Sequence, residues 1–209
     1  MKNNMRVLLF ALTGFGNKVI DALLAEDCEL KYLYTRPEAG PFPFYEEKNI
    51  SQYAEELGIK AVDDFNWEDV KKVISGYSPE LLLVASFHRV IPEEIIKLVP
   101  FCVNFHPSLL PKYRGPTPID WVIFNKEKKT GITAHWLTKG LDEGDILIQN
   151  ELLIEEGETK NGLFEKLAIL AAKTSRQTVR KLKSGNTSAT PQDASQATYQ
   201  PRFDANQIK

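Results

Sequence analysis

The sequence predicts an α/β fold: a mostly parallel, twisted sheet with helices on both faces. Three observations carry that expectation. Apolar runs of strand length alternate with stretches of helical periodicity from Arg6 to Ser86, the pattern of consecutive β-α-β units. Glu80-Leu81-Leu82-Leu83-Val84-Ala85-Ser86 is apolar on both of its faces, as a strand covered by helices on each side should be. The chain has 209 residues, 43% hydrophobic and 26% charged, the size and make-up of one good-sized globular domain.

Arg6-Val7-Leu8-Leu9-Phe10-Ala11 is the first strand, closed by the turn Thr13-Gly14-Phe15-Gly16-Asn17. Val19, Ile20, Leu23 and Leu24 then recur at helical spacing. Leu30 to Thr35 is the second strand; the prolines of Arg36-Pro37-Glu38-Ala39-Gly40-Pro41-Phe42-Pro43 disfavour helix and central strand alike. Ile50 to Leu57 reads as a short helix, Ile59 to Val62 as a short strand, and Trp67 to Ser75 as an amphipathic helix through Val70, Val73 and Ile74. Phe101 to Phe105 is a further buried strand, followed by a loop rich in proline and basic residues. Pro118 to Phe124 is helical. Gly131 to Leu137 and Asp145 to Leu153 are strands joined by a glycine-flanked loop. A long helix follows, its stripe formed by Leu163, Leu167, Leu170, Ala171, Thr174, Thr178 and Leu182. From Ser184 the composition turns small and polar, which is loop composition. The expected division is one domain over residues 1–184 and a tail over 185–209, partly ordered on that domain.

Charge and cysteine usage narrow the function classes. Lys and Arg number 26 against 28 Asp and Glu, a formal net charge of −2, so the overall basic field that draws proteins onto nucleic acid is absent. Cys28 and Cys102 are too few and too far apart for a disulfide framework or a four-ligand zinc site; no metal is expected. The apolar run after the N-terminus, Val7 to Leu12, is too short for a signal peptide or a membrane span. A cytoplasmic protein with no membrane contact is the expectation.

In an open parallel sheet, ligands bind beyond the carboxyl ends of the strands. Asn104 and His106 stand two apart at such an end, and the period of a strand puts both on one side. An amide and an imidazole there can hydrogen-bond one developing oxyanion, as acyl transfer requires. Asp142, in the loop Leu141-Asp142-Glu143-Gly144, could reach the imidazole, raise its pKa and help move a proton. His135, inside a strand, reads as a structural residue, and three scattered histidines make no metal-ligand set. Gly14-Phe15-Gly16 lacks the third glycine of a dinucleotide fingerprint, Val19 standing in its place.

The segment Asn104-Phe105-His106-Pro107-Ser108-Leu109-Leu110-Pro111-Lys112-Tyr113-Arg114-Gly115, with Gly131-Ile132-Thr133 and Leu141-Asp142-Glu143-Gly144-Asp145-Ile146 downstream, resembles the signature of the folate-dependent formyltransferases. The resemblance runs from the first strand to about Phe203. It implies a Rossmann-like formyltransferase fold and 10-formyltetrahydrofolate as formyl donor. It makes Asn104, His106 and Asp142 the catalytic trio: Asn104 and protonated His106 hold the oxyanion, and Asp142 orients the ring and assists proton removal from the amine. It places the pterin against Phe87, His88, Arg89, Val90 and Ile91 and against Leu137, Gly140 and Leu141. It also implies a cis peptide before Pro111.

For the acceptor, the resemblance favours a small primary amine such as a nucleotide-linked amino sugar. Gly14-Phe15-Gly16-Asn17-Lys18 lacks the serine that the glycinamide ribonucleotide enzymes use at that turn. The loop from Arg36 to Lys48 holds two basic residues and three Glu where methionyl-tRNA formyltransferases carry a basic insertion, and the chain stops near where their tRNA-binding barrel would begin. Phe42, Phe44 and Tyr45 suit stacking on a sugar or base. The alternatives are a methionyl-tRNA formyltransferase without that barrel, which makes tRNA a disfavoured partner, and a folate-binding protein that has lost turnover. Leucines and aromatics near the C-terminal helix suit a homodimer interface, though nothing fixes the oligomeric state.

Overall fold

The computed structural model describes residues 4–38, 46 and 48–204. Phe42, Phe44 and Tyr45, expected to stack on a sugar or base, lie outside the described residues.

Seven strands form one sheet: β1 (Arg6–Ala11), β2 (Glu29–Tyr34), β3 (Lys60–Val62), β4 (Leu81–Ala85), β5 (Phe101–His106), β6 (Lys129–Trp136) and β7 (Ile146–Leu153). Their order is β3-β2-β1-β4-β5-β6-β7. The first five are parallel; β6 and β7 add an antiparallel hairpin at one edge. The chain leaves β1 for β2 and β3 on one side and returns to β4 on the other, which opens a crevice at the carboxyl ends of β1 and β4.

The helices are α1 (Phe15–Ala25), α2 (Ile50–Glu56), α3 (Trp67–Tyr77), α4 (Glu93–Ile96), α5 (Pro118–Phe124) and α6 (Lys160–Lys183). One face of the sheet packs on α1, α2, α5 and α6 through Leu9, Leu83, Val103, Phe105, Ile132 and Ala134. The other packs on α3 and α4 through Leu8, Phe10, Tyr34, Leu82, Val84 and Cys102. All five residues of β4 are buried, as its double-sided apolar sequence requires. Fully burying one such leucine contributes about 1.5–3 kcal/mol.

Local signals set the helix ends. Asn66 caps α3 by accepting the Asp69 N–H at 3.0 Å, and Thr159 caps α6 by accepting from Gly162 at 3.0 Å. Within α6 the expected stripe is buried except for Leu170, which packs half-buried at its margin. The Thr174 and Thr178 hydroxyls on that stripe donate to carbonyls one turn back, at 2.8 and 2.9 Å, so each can be buried without an unsatisfied group. Arg180, near the helix end, grips Glu26 with two bonds of 2.8 and 2.6 Å and ties α6 to the end of α1.

Beyond Ser184 the chain runs back across the domain. Thr190 pairs with Ile146 at the start of β7, and Tyr199 bridges Arg114. The Trp121 indole donates to the Pro201 carbonyl at 2.8 Å, with Phe203 edge-on to its ring. No described helix is long and apolar enough to cross a membrane.

Candidate active site

Asn104 and His106 share a face of β5 with Cys102, and hydrogen-bonded register carries that face across the sheet. Phe10 pairs with Val84, Val84 with Asn104, and Asn104 with His135. The row is apolar on β1 and β4 and becomes polar on β5 and β6. The next residues along, His106 and Thr133, pair in the same way. Thr133 Oγ1 donates to the Ser108 carbonyl at 2.7 Å and accepts from Leu110 N–H at 3.2 Å, pinning the loop that follows β5. The peptide bond between Leu110 and Pro111 is cis, as the resemblance implied.

Two loops cover this polar corner. Residues 107–117 bring the Tyr113 carbonyl to 2.7 Å from His106 Nε2. Residues 137–145 bring the Asp142 carboxylate into the centre. Its Oδ2 accepts from the Gly115 N–H at 2.9 Å, and its Oδ1 accepts from Asn104 Nδ2 at 3.3 Å. Oδ2 lies 3.5 Å from His106 Nδ1, and Oδ1 lies 3.6 Å from His135 Nε2. The structure therefore gathers all three expected catalytic side chains, from distant points of the sequence, around one carboxylate. Gly115 has φ of 119°, and a Cβ there would stand 2.1 Å from the Gln200 carbonyl oxygen. Only glycine can present its N–H to Asp142 from that position. Tyr113 and Asp142 themselves have φ of 62° and 55°, a conformation that side chains disfavour and that recurs at functional sites.

Protonation follows from this geometry. A carbonyl can only accept, so Nε2 of His106 carries a proton for Tyr113, and Nδ1 is the atom left to exchange one. His106 is 4% exposed. Burial lowers its pKa below the usual histidine value, although Asp142 and the Tyr113 carbonyl pull the other way. The expectation that Asp142 leaves the ring with a raised pKa is thus corrected: the carboxylate acts in that direction, but desolvation is larger. For Asp142 burial favours the neutral acid, yet His106, His135 and the Gly115 N–H outweigh it and hold the carboxyl at about 2.

His135, read from the sequence as a structural residue apart from the chemistry, sits inside the cluster. Its Nδ1 donates to the Trp136 carbonyl at 2.9 Å, which leaves Nε2 to accept from Asn104 Nδ2 at 3.1 Å. Asn104 thus has an acceptor on each of its two N–H groups, His135 and Asp142. Its amide is fixed nitrogen-inward by its neighbours. The signal that would have found His135 is the cross-strand register, which no single sequence spells out.

The residues expected to line the pterin cleft divide. Ile91 is buried in the cluster that also holds Val84 and Cys102, and Phe87 and Leu137 pack half-buried against it. The Leu137 N–H bonds the Cys102 carbonyl at 2.8 Å. Val90 is 71% exposed and Leu141 42% exposed, so apolar surface stands open on both segments. Gly140 accepts from the Thr138 hydroxyl at 3.2 Å. His88 is exposed with its ring 4.5 Å from that of Phe87. Arg89 is drawn elsewhere: its guanidinium lies 4.7 Å from the Phe65 ring and 4.5 Å from the Trp67 ring, and it donates to the Phe65 carbonyl at 3.2 Å. Among the described residues no group of three or more His, Cys, Asp and Glu is placed to hold a metal ion.

A family model described as formyl transferase matches residues 6–179. The chain belongs to the formyl transferase family. It is 34% identical over 206 residues to the methionyl-tRNA formyltransferase of Caldanaerobacter subterraneus subsp. tengcongensis, an alignment covering 94% of this chain and 66% of that protein. The methionyl-tRNA formyltransferase of Acetivibrio thermocellus is 33% identical over 205 residues, covering 96% and 66%. The chain therefore spans just under two thirds of the length of these relatives. Among solved structures, phosphoribosylglycinamide formyltransferase from Anaplasma phagocytophilum superposes with a TM-score of 0.76 at 18% identity, covering 97% of this chain and all of that one. The N-formyltransferase of Helicobacter canadensis, solved with folinic acid and dTDP-3-aminofucose, gives 0.74 at 17% identity, covering 95% and 71%. HypX from Aquifex aeolicus with tetrahydrofolic acid gives 0.75 at 16%, covering 97% and 30%. These structural likenesses establish the formyltransferase fold.

Proposed function

We propose that this chain transfers a formyl group from 10-formyltetrahydrofolate to a primary amine, with Asn104, His106 and Asp142 as catalytic residues. The observation that carries the reading is the Asp142 carboxylate held within 3.5 Å of His106 and 3.3 Å of Asn104 on one sheet face. The apolar flank of that face suits a flat heterocycle: Phe87, Ile91 and Leu137 belong to or border the apolar cluster that also holds Val84, the neighbour of Asn104 in register. When bound, the folate supplies an activated formyl carbon and a nitrogen leaving group.

As the amine attacks that carbon, a C–N bond forms and the carbonyl oxygen gains charge. Asn104 meets it with an N–H released from His135 or Asp142, the positioned-donor contribution of an oxyanion site. His106 takes the proton lost by the amine at Nδ1, and Asp142 beside it stabilises the resulting imidazolium. Nδ1–H then donates to the oxyanion, and it returns the proton to the departing folate nitrogen as that C–N bond breaks. Asp142 stays ionised throughout.

For the acceptor we favour a small amine of the amino-sugar class. A chain with 26 basic and 28 acidic residues offers little of the phosphate neutralisation from which tRNA binding draws affinity. The second reading, methionyl-tRNA as acceptor, is favoured by the names of the relatives at 33–34% identity. Incubating the chain with 10-formyltetrahydrofolate and, in parallel, amino-sugar nucleotides, glycinamide ribonucleotide and charged initiator tRNA separates them. Formylation confined to the tRNA arm overturns the first acceptor. Formate release independent of any amine overturns transfer itself.

A further inference from the structure

We propose that Gln192, in the segment after α6, is a positioning residue for the Asp142 carboxylate; the proposal rests on the formyl-transfer reading. The Gln192 amide nitrogen donates to the Asp142 carbonyl and to the Gly144 carbonyl, both at 2.8 Å. Its amide oxygen accepts from Arg114 Nε at 3.2 Å and Nη2 at 2.8 Å. One side chain thus clamps the loop that carries Asp142 to the residue just before Gly115, the donor to that carboxylate.

The chemistry singles out glutamine. Two carbonyls need two donors on one atom, and a guanidinium needs an acceptor on the same planar group; a primary amide provides both. A glutamate would turn an acceptor toward two carbonyls, and a leucine would offer them nothing. The clamp acts on a backbone that needs holding. Asp142 sits at φ of 55°, a strained conformation that persists only where the surroundings impose it. The far end of the loop is fixed as well, because a Cβ on Gly144 would stand 1.9 Å from the Trp136 carbonyl oxygen. Between these points the carboxylate keeps its place only while the 142–144 backbone keeps its turn. Arg114, 3.6 Å from Glu143, closes the clamp from the loop side.

The test uses the full chain with Gln192→Leu and, as a second variant of matching length, Gln192→Met. The expected result is a fall in kcat of about 10- to 100-fold, the scale of a misplaced catalytic group, with KM for 10-formyltetrahydrofolate within about twofold of wild type. A readout independent of turnover is the His106 ring titration, followed by NMR on 15N-histidine-labelled protein. Asp142 is the carboxylate facing that ring, and His135 on β6 is the other titratable group beside it. Withdrawal of Asp142 therefore moves the His106 titration to lower pH, while a purely structural role leaves it in place. An unchanged His106 titration overturns the proposal, as does a kcat within about twofold of wild type or loss of the fold in both variants. If the wild-type chain formylates no amine, the formyl-transfer reading fails, and the NMR arm still decides whether Gln192 positions Asp142.

Discussion

At the scale of single residues, the site depends on which nitrogen of His106 is free. Nε2 is committed to Tyr113 at 2.7 Å, so the proposed transfer would run through Nδ1 and the carboxylate beside it. Asp142→Asn keeps the shape and removes the charge; kcat is expected to fall by roughly three to four orders of magnitude, as for other carboxylates that orient a histidine, and a loss of tenfold or less in a steady-state assay counts against the role. His106→Ala should abolish transfer and, by orphaning the buried Tyr113 carbonyl, cost about 1–3 kcal/mol of stability, read from urea unfolding. The pH profile has a definite sign. Since burial lowers the His106 pKa, the ring stays neutral at pH 7 and the rate falls only as pH drops below the ordinary histidine value of about 6.5. An acid limb above pH 7 in kcat, after allowance for the amine's own ionisation, contradicts this. By linkage the unfolded chain takes up that proton first, so stability also declines as pH falls below about 6.5. Asn104, His106 and Asp142 were legible because strand period and a long motif mark them. His135 was not, because its partner Asn104 lies across a strand pair whose register the sequence does not state.

At the scale of elements, apolar pattern located the strands and helices well, since each packs one or two faces against a single core. The first strand and Pro118–Phe124 have the expected bounds, and the long helix that carries the expected stripe spans Lys160–Lys183. Helix α4, four residues at Glu93–Ile96, is too short to show a period in the sequence. The pairing of the residues after α6 with Ile146 and Arg114 is not legible in the sequence either, because those bonds join backbone to backbone and leave little trace in side-chain choice. Thr133 tests how β6 supports the site. Its hydroxyl serves the Ser108 carbonyl, the Leu110 N–H and the Gln149 amide. Thr133→Val keeps the volume and strands those groups, so a loss of about 1–3 kcal/mol in chemical denaturation is expected, together with weakened transfer as the loop after β5 loosens; unaltered stability argues against that support.

At the scale of the whole molecule, the parallel sheet was legible as a class, but the strand order was not. Nothing local says that the chain crosses from β3 back to β4, or that β6 reverses direction beside β5. Those two facts place the crevice and bring His135 to Asn104. Charge belongs to this scale too. With a net of −2, the chain is expected to hold initiator tRNA weakly at physiological salt; filter binding that shows tight retention with a steep salt slope would require a basic patch that the overall balance hides. The carboxylate at the centre of the site draws its partners from β5, β6, Gly115 and, through the backbone, Gln192. During synthesis the five parallel strands can come together while the remainder of the polypeptide is still inside the ribosome. If formyl transfer is the reaction, the catalytic set lacks Asp142 at that stage, and turnover reaches its full rate only once residue 192 has emerged and docked.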